Sequence, residues 1–496
     1  MGIRHIILLT WALTGAFMVQ AQTEVLTLED CKQLALQNNH ELAIQQAKQS
    51  IARDTKSTAK TLYLPKFDLT GAYMHTSREI SILSDDQKTA IGNIGTTTGA
   101  ALSEALPGLI TSLVQGGIIS PTQVQAMQQI IAQQGGALST AFNQIGEQIV
   151  DAFHTDTRNM WVGAVTMTQP LYMGGKIIAA NKMADIGIEA AANQTEKSRN
   201  DILLSTEKAY WLVASLAHKH SLAQSYCDLL RKFQSDVEKM VREGVATKAD
   251  KLSVDVKVNE AEMTLTQVSD GLILSKMALC QVCGLSIDSN ITTADETSES
   301  IDDNGEVVEG GVESALTARS EIRLLDNLTD ISKQKTKIAR AGYLPEIALT
   351  AGYMLTNPSL YNGFERKFKG MWNVGVMLSM PLWHWNDVKY KVNSAKSSTL
   401  IAEMQKEEAE ELITLQVRQS QFKLKEARKK SAMTKVNMES ADENLRSANM
   451  GFKEGVFTVT SVMEAQTAWM KASTQKIDAQ IEVKLALADL KMAMGK

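Results

Sequence analysis

The residues that could do bond-making chemistry are few, and each group fails a test of spacing. Gly174-Gly175-Lys176 sets a lysine after a glycine pair, as a phosphate cradle would. It lacks the upstream glycine and the following Ser or Thr of a phosphate-binding loop. Cys280-Gln281-Val282-Cys283 has dithiol spacing, but such motifs act at a helix start, where the dipole lowers the thiol pKa. This pair closes a helical run, with no histidine or acid beside it to complete a metal site, and reads as packing or an incidental disulfide. His218 and His220 lie two apart, on different helix faces, and cannot share a metal. Trp383-His384-Trp385 marks a junction between elements. No catalytic residue, metal ligand or cofactor follows, and an exported enzyme would need a convergent polar constellation that is not found.

The elements that carry these residues begin with an export signal. Arg4 and His5 precede the apolar run Ile6 to Val19, and Val19-Gln20-Ala21 offers small residues at positions −3 and −1 of a cleavage site. This predicts a signal peptide over 1–21, with the mature chain starting at Gln22. The first cysteine is Cys31, so a lipid anchor at the new N-terminus is not supported. No other stretch has the length and apolarity of a transmembrane helix. The formal net charge of −5 argues against nucleic acid as a partner. Sparse aromatics and rare proline suit long helices better than a β-sandwich.

The chain is one unit written twice. Tyr63-Leu64-Pro65 and Leu69-Thr70-Gly71-Ala72-Tyr73-Met74 recur as Tyr343-Leu344-Pro345 and Leu349-Thr350-Ala351-Gly352-Tyr353-Met354, a spacing of 280. Met160-Trp161, Pro170-Leu171, Glu243-Gly244-Val245 and Gly284 recur as Met371-Trp372, Pro381-Leu382, Glu454-Gly455-Val456 and Gly495, a spacing of 211. The first copy therefore carries 69 extra residues between Tyr73 and Met160. Pro65, Pro170, Pro345 and Pro381 are two positions seen once per copy, and proline suits a helix–strand junction. Beside them run alternating segments of about nine or ten residues, the length of a tilted transmembrane strand. Their far ends carry Tyr73, Trp161, Tyr353 and Trp372, where an interfacial aromatic girdle belongs. Four strands cannot close a barrel, and an open edge in lipid costs several kcal/mol per unpaired group. The chain must oligomerise, with two copies giving eight strands or three giving twelve.

Between the strands lie proline-free runs of about 70 residues, on the order of 100 Å as helix. Leu222, Tyr226, Leu229, Phe233, Val237 and Met240 form one apolar stripe, and Leu412, Leu415, Phe422, Leu445, Ala448 and Phe452 lie in the matching run. Stripes this long imply coiled-coil-like packing. The predicted order in repeat 1 (22–284) is helix 26–62, strand 66–74, insertion 75–159, strand 161–169, long helix 175–243, tip 244–247 and helix 248–283. A linker over 285–311 leads to repeat 2 (312–496): helix 312–344, strand 346–354, loop 355–371, strand 372–380, long helix 384–454, tip 455–457 and helix 458–494. Two half-length helices stacked end to end match one long helix in each copy. The fold class is mainly α with a small transmembrane β part: a duplicated long-helix unit forming a helical barrel, and four strands per chain contributing to an oligomeric β-barrel.

A signal peptide, this duplicated unit, Leu-Pro before the first strand and Pro170-Leu171-Tyr172-Met173-Gly174-Gly175 after the second resemble the TolC-like outer-membrane efflux channels. In copy two, Trp383-His384-Trp385-Asn386 replaces the glycines. The resemblance covers nearly the whole mature chain. It implies a homotrimer with a twelve-stranded outer-membrane barrel and a periplasmic tunnel of twelve helices. It also implies a periplasmic adaptor, an inner-membrane pump of RND, ABC or MFS type, and outer-membrane lipid as partners, with drugs, metals or proteins as cargo. The periplasmic tips would then be the adaptor-docking turns Gly244, Val245, Thr247, Gly455, Val456 and Thr458. Asp250 falls on an acidic tip position of the family. The family's aspartate pair falls on Ser461 and Glu464, its tip tyrosine on Phe452 and its gate arginine on Phe457, so its latch is absent here. Two readings stay open: Asp250 and Glu464 form a cation-favouring gate beside an aromatic constriction, or they complement helix dipoles. Between Thr89 and Gly146 the only formal charge is Glu104, and Gly and Pro punctuate three short helical stretches, placed outside the cell. The competing reading of the whole is a trimeric helical surface adhesin anchored by a β-barrel.

Overall fold

The computed structural model describes residues 24–79, 81, 83–95, 108, 112, 137–154, 156–296, 298, 310–359, 361 and 365–496. The predicted signal peptide and much of the insertion lie outside them. The chain divides into two compact units. One is helical (Met1–Ala59, Ile178–Arg340 and Asn386–Lys496), and the other holds the sheet (Lys60–Ile177 and Ala341–Trp385).

The helical unit begins with β1 (Glu24–Leu26), then α1 (Leu28–Asn38) and α2 (His40–Thr61). One continuous helix over 26–62 was the expectation, and the structure corrects it. Asn39 is extended (φ −70°, ψ 125°) and separates the two helices. The cause is distant in sequence: the Asn39 side-chain amide donates to Val282 O at 3.2 Å, and Gly284 presses on Asn38. The second copy breaks at the equivalent place. There α7 (Val312–Ala318) and α8 (Ser320–Ala341) part at Arg319 (φ −70°, ψ 128°), against Gly495, which corrects the single helix over 312–344. Gly284 and Gly495 have φ of +70° and +72°, which glycine alone adopts without steric cost.

The predicted linker 285–311 is not featureless. It contributes β4 (Ile291–Thr293), parallel to β1. The long helices are α5 (Lys176–Arg242) and α9 (Asp387–Lys453), each of 67 residues, returning as α6 (Lys248–Cys283) and α10 (Val459–Ala493). Helix α9 starts at Asp387 rather than at His384, because Trp385 and Asn386 hold φ of 49° and 64°. These are the repeat partners of Gly174 (φ 59°) and Gly175 (φ 84°), so both copies make one turn with different residues.

Equivalent core positions are buried in both copies: Ile202 and Ile413, Val213 and Leu424, Leu279 and Leu490. Each such side chain contributes on the order of 1.5–3 kcal/mol. Helix α9 presents more than one apolar face. The core takes Ile413, Val417, Leu424 and Ala427, while Leu412, Leu415 and Phe422 of the predicted run are exposed, Phe422 by 68%.

In the sheet unit, β2 (Lys66–His75), β3 (Asn159–Met173), β5 (Glu346–Asn357) and β6 (Lys369–Ser379) form an antiparallel sheet in that order. All four strands run longer than expected. β3 passes through Pro170 by a register shift between Pro170 and Tyr172, which absorbs the missing N–H. The hairpin after β5 narrows accordingly, from a predicted loop over 355–371 to the residues between Asn357 and Lys369. Lys66 opposes Thr168, and Glu346 opposes Ser379, so the two hairpins share one register. Within the insertion, α3 (Asp85–Gly92) packs on α4 (Ala137–Ala152), where Gly146 admits the backbone of Ile91.

Candidate functional site

The tips are built by helix-end chemistry. Past Arg242 the chain turns through Gly244 at φ +75°, and the Val245 N–H donates to Met240 O at 2.8 Å, closing the helix end. Thr247 then caps α6. Its hydroxyl accepts from the Asp250 N–H at 3.1 Å, and the Asp250 carboxylate accepts from the Thr247 N–H at 2.9 Å and hydroxyl at 2.6 Å. The hydroxyl bond, then the backbone bond, hold the Asp250 carboxyl below its ordinary pKa. Asp250 is thus a charged capping acid at a helix N-terminus, which joins the two open readings: the same carboxylate can serve a dipole and line a pore.

The second tip repeats the turn with altered chemistry. Gly455 has φ +72°, and the Val456 N–H donates to Gly451 O at 2.8 Å. Thr458 caps α10 by accepting from the Ser461 N–H at 3.2 Å, and the two hydroxyls lie 3.0 Å apart. Ser461 replaces Asp250, so this tip carries no anion at its third helical position. Glu464, one turn on, is exposed and makes no ion pair among the described residues. Val245 and Val456 are 70% and 73% exposed, an apolar knob on each turn.

A single core joins the tips. Phe233, Val237, Val254 and Val258 of the first copy pack with Val459, Val462 and Ala465 of the second. Phe452 belongs to this core, its ring 5.1 Å from that of Phe233. Phe457 lies across Gly451, where an added β-carbon would stand 2.5 Å from its ring, and remains 45% exposed. Of the two aromatic candidates, Phe457 is therefore the free one. Its repeat partner is Ala246 and that of Gly451 is Met240, so bulk has moved from helix to turn between the copies.

The aromatic candidates on the sheet form two matched pairs. Tyr73 opposes Trp161 with ring centroids 4.6 Å apart, and Tyr353 opposes Trp372 in the same register position; all four are exposed. At the other strand end, where the sequence reading placed a junction at Trp383-His384-Trp385, a further exposed set stands: Leu382, Trp383 and Trp385, with the two indoles 5.8 Å apart. Their glycine-paired repeat positions were the available signal.

The remaining sequence candidates have structural partners. His218 meets Asp295 O at 2.9 Å, while the Tyr210 hydroxyl donates to the Asp295 carboxylate. All four cysteines are buried and free. Among the described residues no cluster has the makings of a metal site, and no helix is long and apolar enough to cross a membrane.

Comparison with known proteins bears on these features. The family described as outer membrane efflux protein matches residues 122–285 and 312–496. The chain is 23% identical over 176 residues to the outer membrane protein TolC of Escherichia coli, covering 34% of this chain and 36% of that protein. It thus spans about a third of the length of this curated relative. By structure it resembles the outer membrane protein VceC of Vibrio cholerae (TM-score 0.69, 16% identity, 94% and 96% of the two chains). It also resembles the Campylobacter jejuni CmeC outer membrane channel (0.72, 14%, 94% and 85%). At these identities the likeness speaks to the fold.

Proposed function

Because this chain belongs to the outer membrane efflux protein family, we propose that it is the exit duct of a tripartite efflux or type I secretion system. It sits in the outer membrane, with its helices in the periplasm. The observation that carries the reading is the sheet: four antiparallel strands whose outer members, β2 and β6, have no second strand partner among the described residues. Every residue of β2 is exposed, and β6 exposes Trp372, Val374, Val376 and Leu378 along one face. Such a sheet is stable in lipid only when closed, and three copies supply a twelve-stranded barrel. The exposed Leu412, Leu415 and Phe422 of α9 give neighbouring copies an apolar helix face to cover. In this reading the turns at Gly244, Val245, Thr247, Gly455, Val456 and Thr458 receive the periplasmic adaptor, the valines acting as apolar knobs. Asp250, Ser461 and Glu464 with Phe452 and Phe457 form the periplasmic gate, with Phe452 supporting it from the core.

Mass measurement of the detergent-purified protein under native conditions tests the assembly. The expected species is three copies of the mature chain. A stable monomer inserted in detergent would overturn the closure argument.

A further inference from the structure

The duplicated register specifies how one copy meets the next. Within the chain, β3 of the first repeat pairs with β5 of the second, matching Thr168 with Thr350, Val165 with Tyr353 and Ala164 with Met354. Moving β3 forward by 211 residues gives β6, and moving β5 back by 280 gives β2, the two edge strands. From this geometry we infer that β6 of one copy pairs with β2 of a second copy in the transposed register: Ser379 opposite Thr70, Val376 opposite Tyr73 and Gly375 opposite Met74. The transposition keeps side-chain character at each place, a hydroxyl pair, a valine–tyrosine pair and a small–large pair, with Ser379, Val376 and Gly375 standing in for Thr168, Val165 and Ala164. The Lys176–Glu346 ion pair maps onto Asp387 and Lys66 with the charges exchanged, so opposite charges again face each other. This inference deepens the proposed barrel and rests on it.

Cysteine pairs introduced into the full chain test the register. Thr70→Cys/Ser379→Cys and Tyr73→Cys/Val376→Cys fall on alternate classes of antiparallel pair, so at least one has the close spacing a disulfide needs. Oxidation should convert most of the monomer band into covalent multimers in one or both, while Ala72→Cys/Ser379→Cys and the unsubstituted chain stay monomeric on denaturing gels. Linking by the shifted pair alone overturns the register and leaves the oligomer standing. A protein that is monomeric in native mass measurement overturns the closure itself.

An independent observation concerns the thiols beside the break at Asn39. Cys31 and Cys283 are fully buried and meet across 252 residues of sequence, where the Cys283 thiol donates to Cys31 O at 3.6 Å. Their repeat partners are Gly311 and Met494. There the Met494 side chain lies over Gly310 and fills the same junction with one residue. The geometry points to a disulfide between Cys31 and Cys283 in the exported protein, stapling α1 to the end of α6. Each thiol loses a hydrogen as the S–S bond forms. The two protons and two electrons pass to a disulfide of a periplasmic thiol–disulfide oxidant, which opens to two thiols.

Maleimide mass-tagging of the denatured wild-type protein from the outer-membrane fraction reads this directly. Two tags are expected before reduction and four after, since the chain has four cysteines, and a non-reduced digest should link the Cys31 and Cys283 peptides. Cys283→Ser should take three tags unreduced; if it does not fold, the wild-type count and digest still decide. Four tags on unreduced outer-membrane protein, or a link to Cys280, overturns the bond. Retention in the cytoplasm also overturns it, by removing the oxidant.

Discussion

Arg319 is almost fully buried at the break between α7 and α8, where its guanidinium donates to Glu321 at 2.9 Å and to Gln416 at 2.6 Å. Although desolvation alone would raise the Glu321 carboxyl, the Arg319 and backbone bonds prevail and hold it below its ordinary value. Arg319→Ala strands that carboxylate and should cost about 3 kcal/mol at neutral pH, read as a shifted denaturant midpoint. A depressed carboxyl pKa contributes stability above its unfolded value, about 4.3, and loses it as pH falls through the folded one. The gap between wild type and variant should therefore close in acid. Trp385 presents the opposite case, a bulky residue at φ 49° where the first copy uses Gly174. The left-handed conformation costs such a residue about 1–2 kcal/mol, and glycine's greater unfolded freedom returns about 0.5–1. Trp385→Gly should thus leave thermal stability unchanged or raise it. That position was legible in principle, since the 211-residue spacing aligns it with Gly174, but the missing glycine concealed the turn.

At the scale of elements, the repeat made the long helices, the strands and the tip turns readable, because proline and glycine recur at fixed spacings. The breaks at Asn39 and Arg319 were not readable. Ala35 and Leu42 keep helical spacing across the first, and the segment that disrupts it arrives from 243 residues away. Helix α9 carries two apolar sets: Ile413 and Val417 pack against α7 and α10 within the chain, while Leu412 and Leu415 stay exposed on the single copy. Helix caps at the tips are local and can be tested locally. Thr247→Ala removes the hydroxyl that accepts from the Asp250 N–H and donates to its carboxylate, and should cost about 1 kcal/mol, seen as faster hydrogen exchange in the first turn of α6. Thr458→Ala should cost less, since its hydroxyl meets the neutral Ser461 hydroxyl rather than a carboxylate.

For the whole molecule, the sequence carried the need for assembly: four strands, no transmembrane helix, and amphipathic runs too long for a globular core. It could not say which tip residues are free, because that depends on packing between copies of the repeat. The structure places Phe452 in the shared core and leaves Phe457, Glu464 and the capped Asp250 at the surface of the tips. The exit-duct reading requires that these groups limit flow through an otherwise open path. Single-channel conductance of the purified protein in a planar bilayer, beside Asp250→Ala/Glu464→Ala, tests that most directly. The account predicts a small, stable wild-type conductance that rises in the double variant; a protein that inserts and conducts nothing in either form would contradict it.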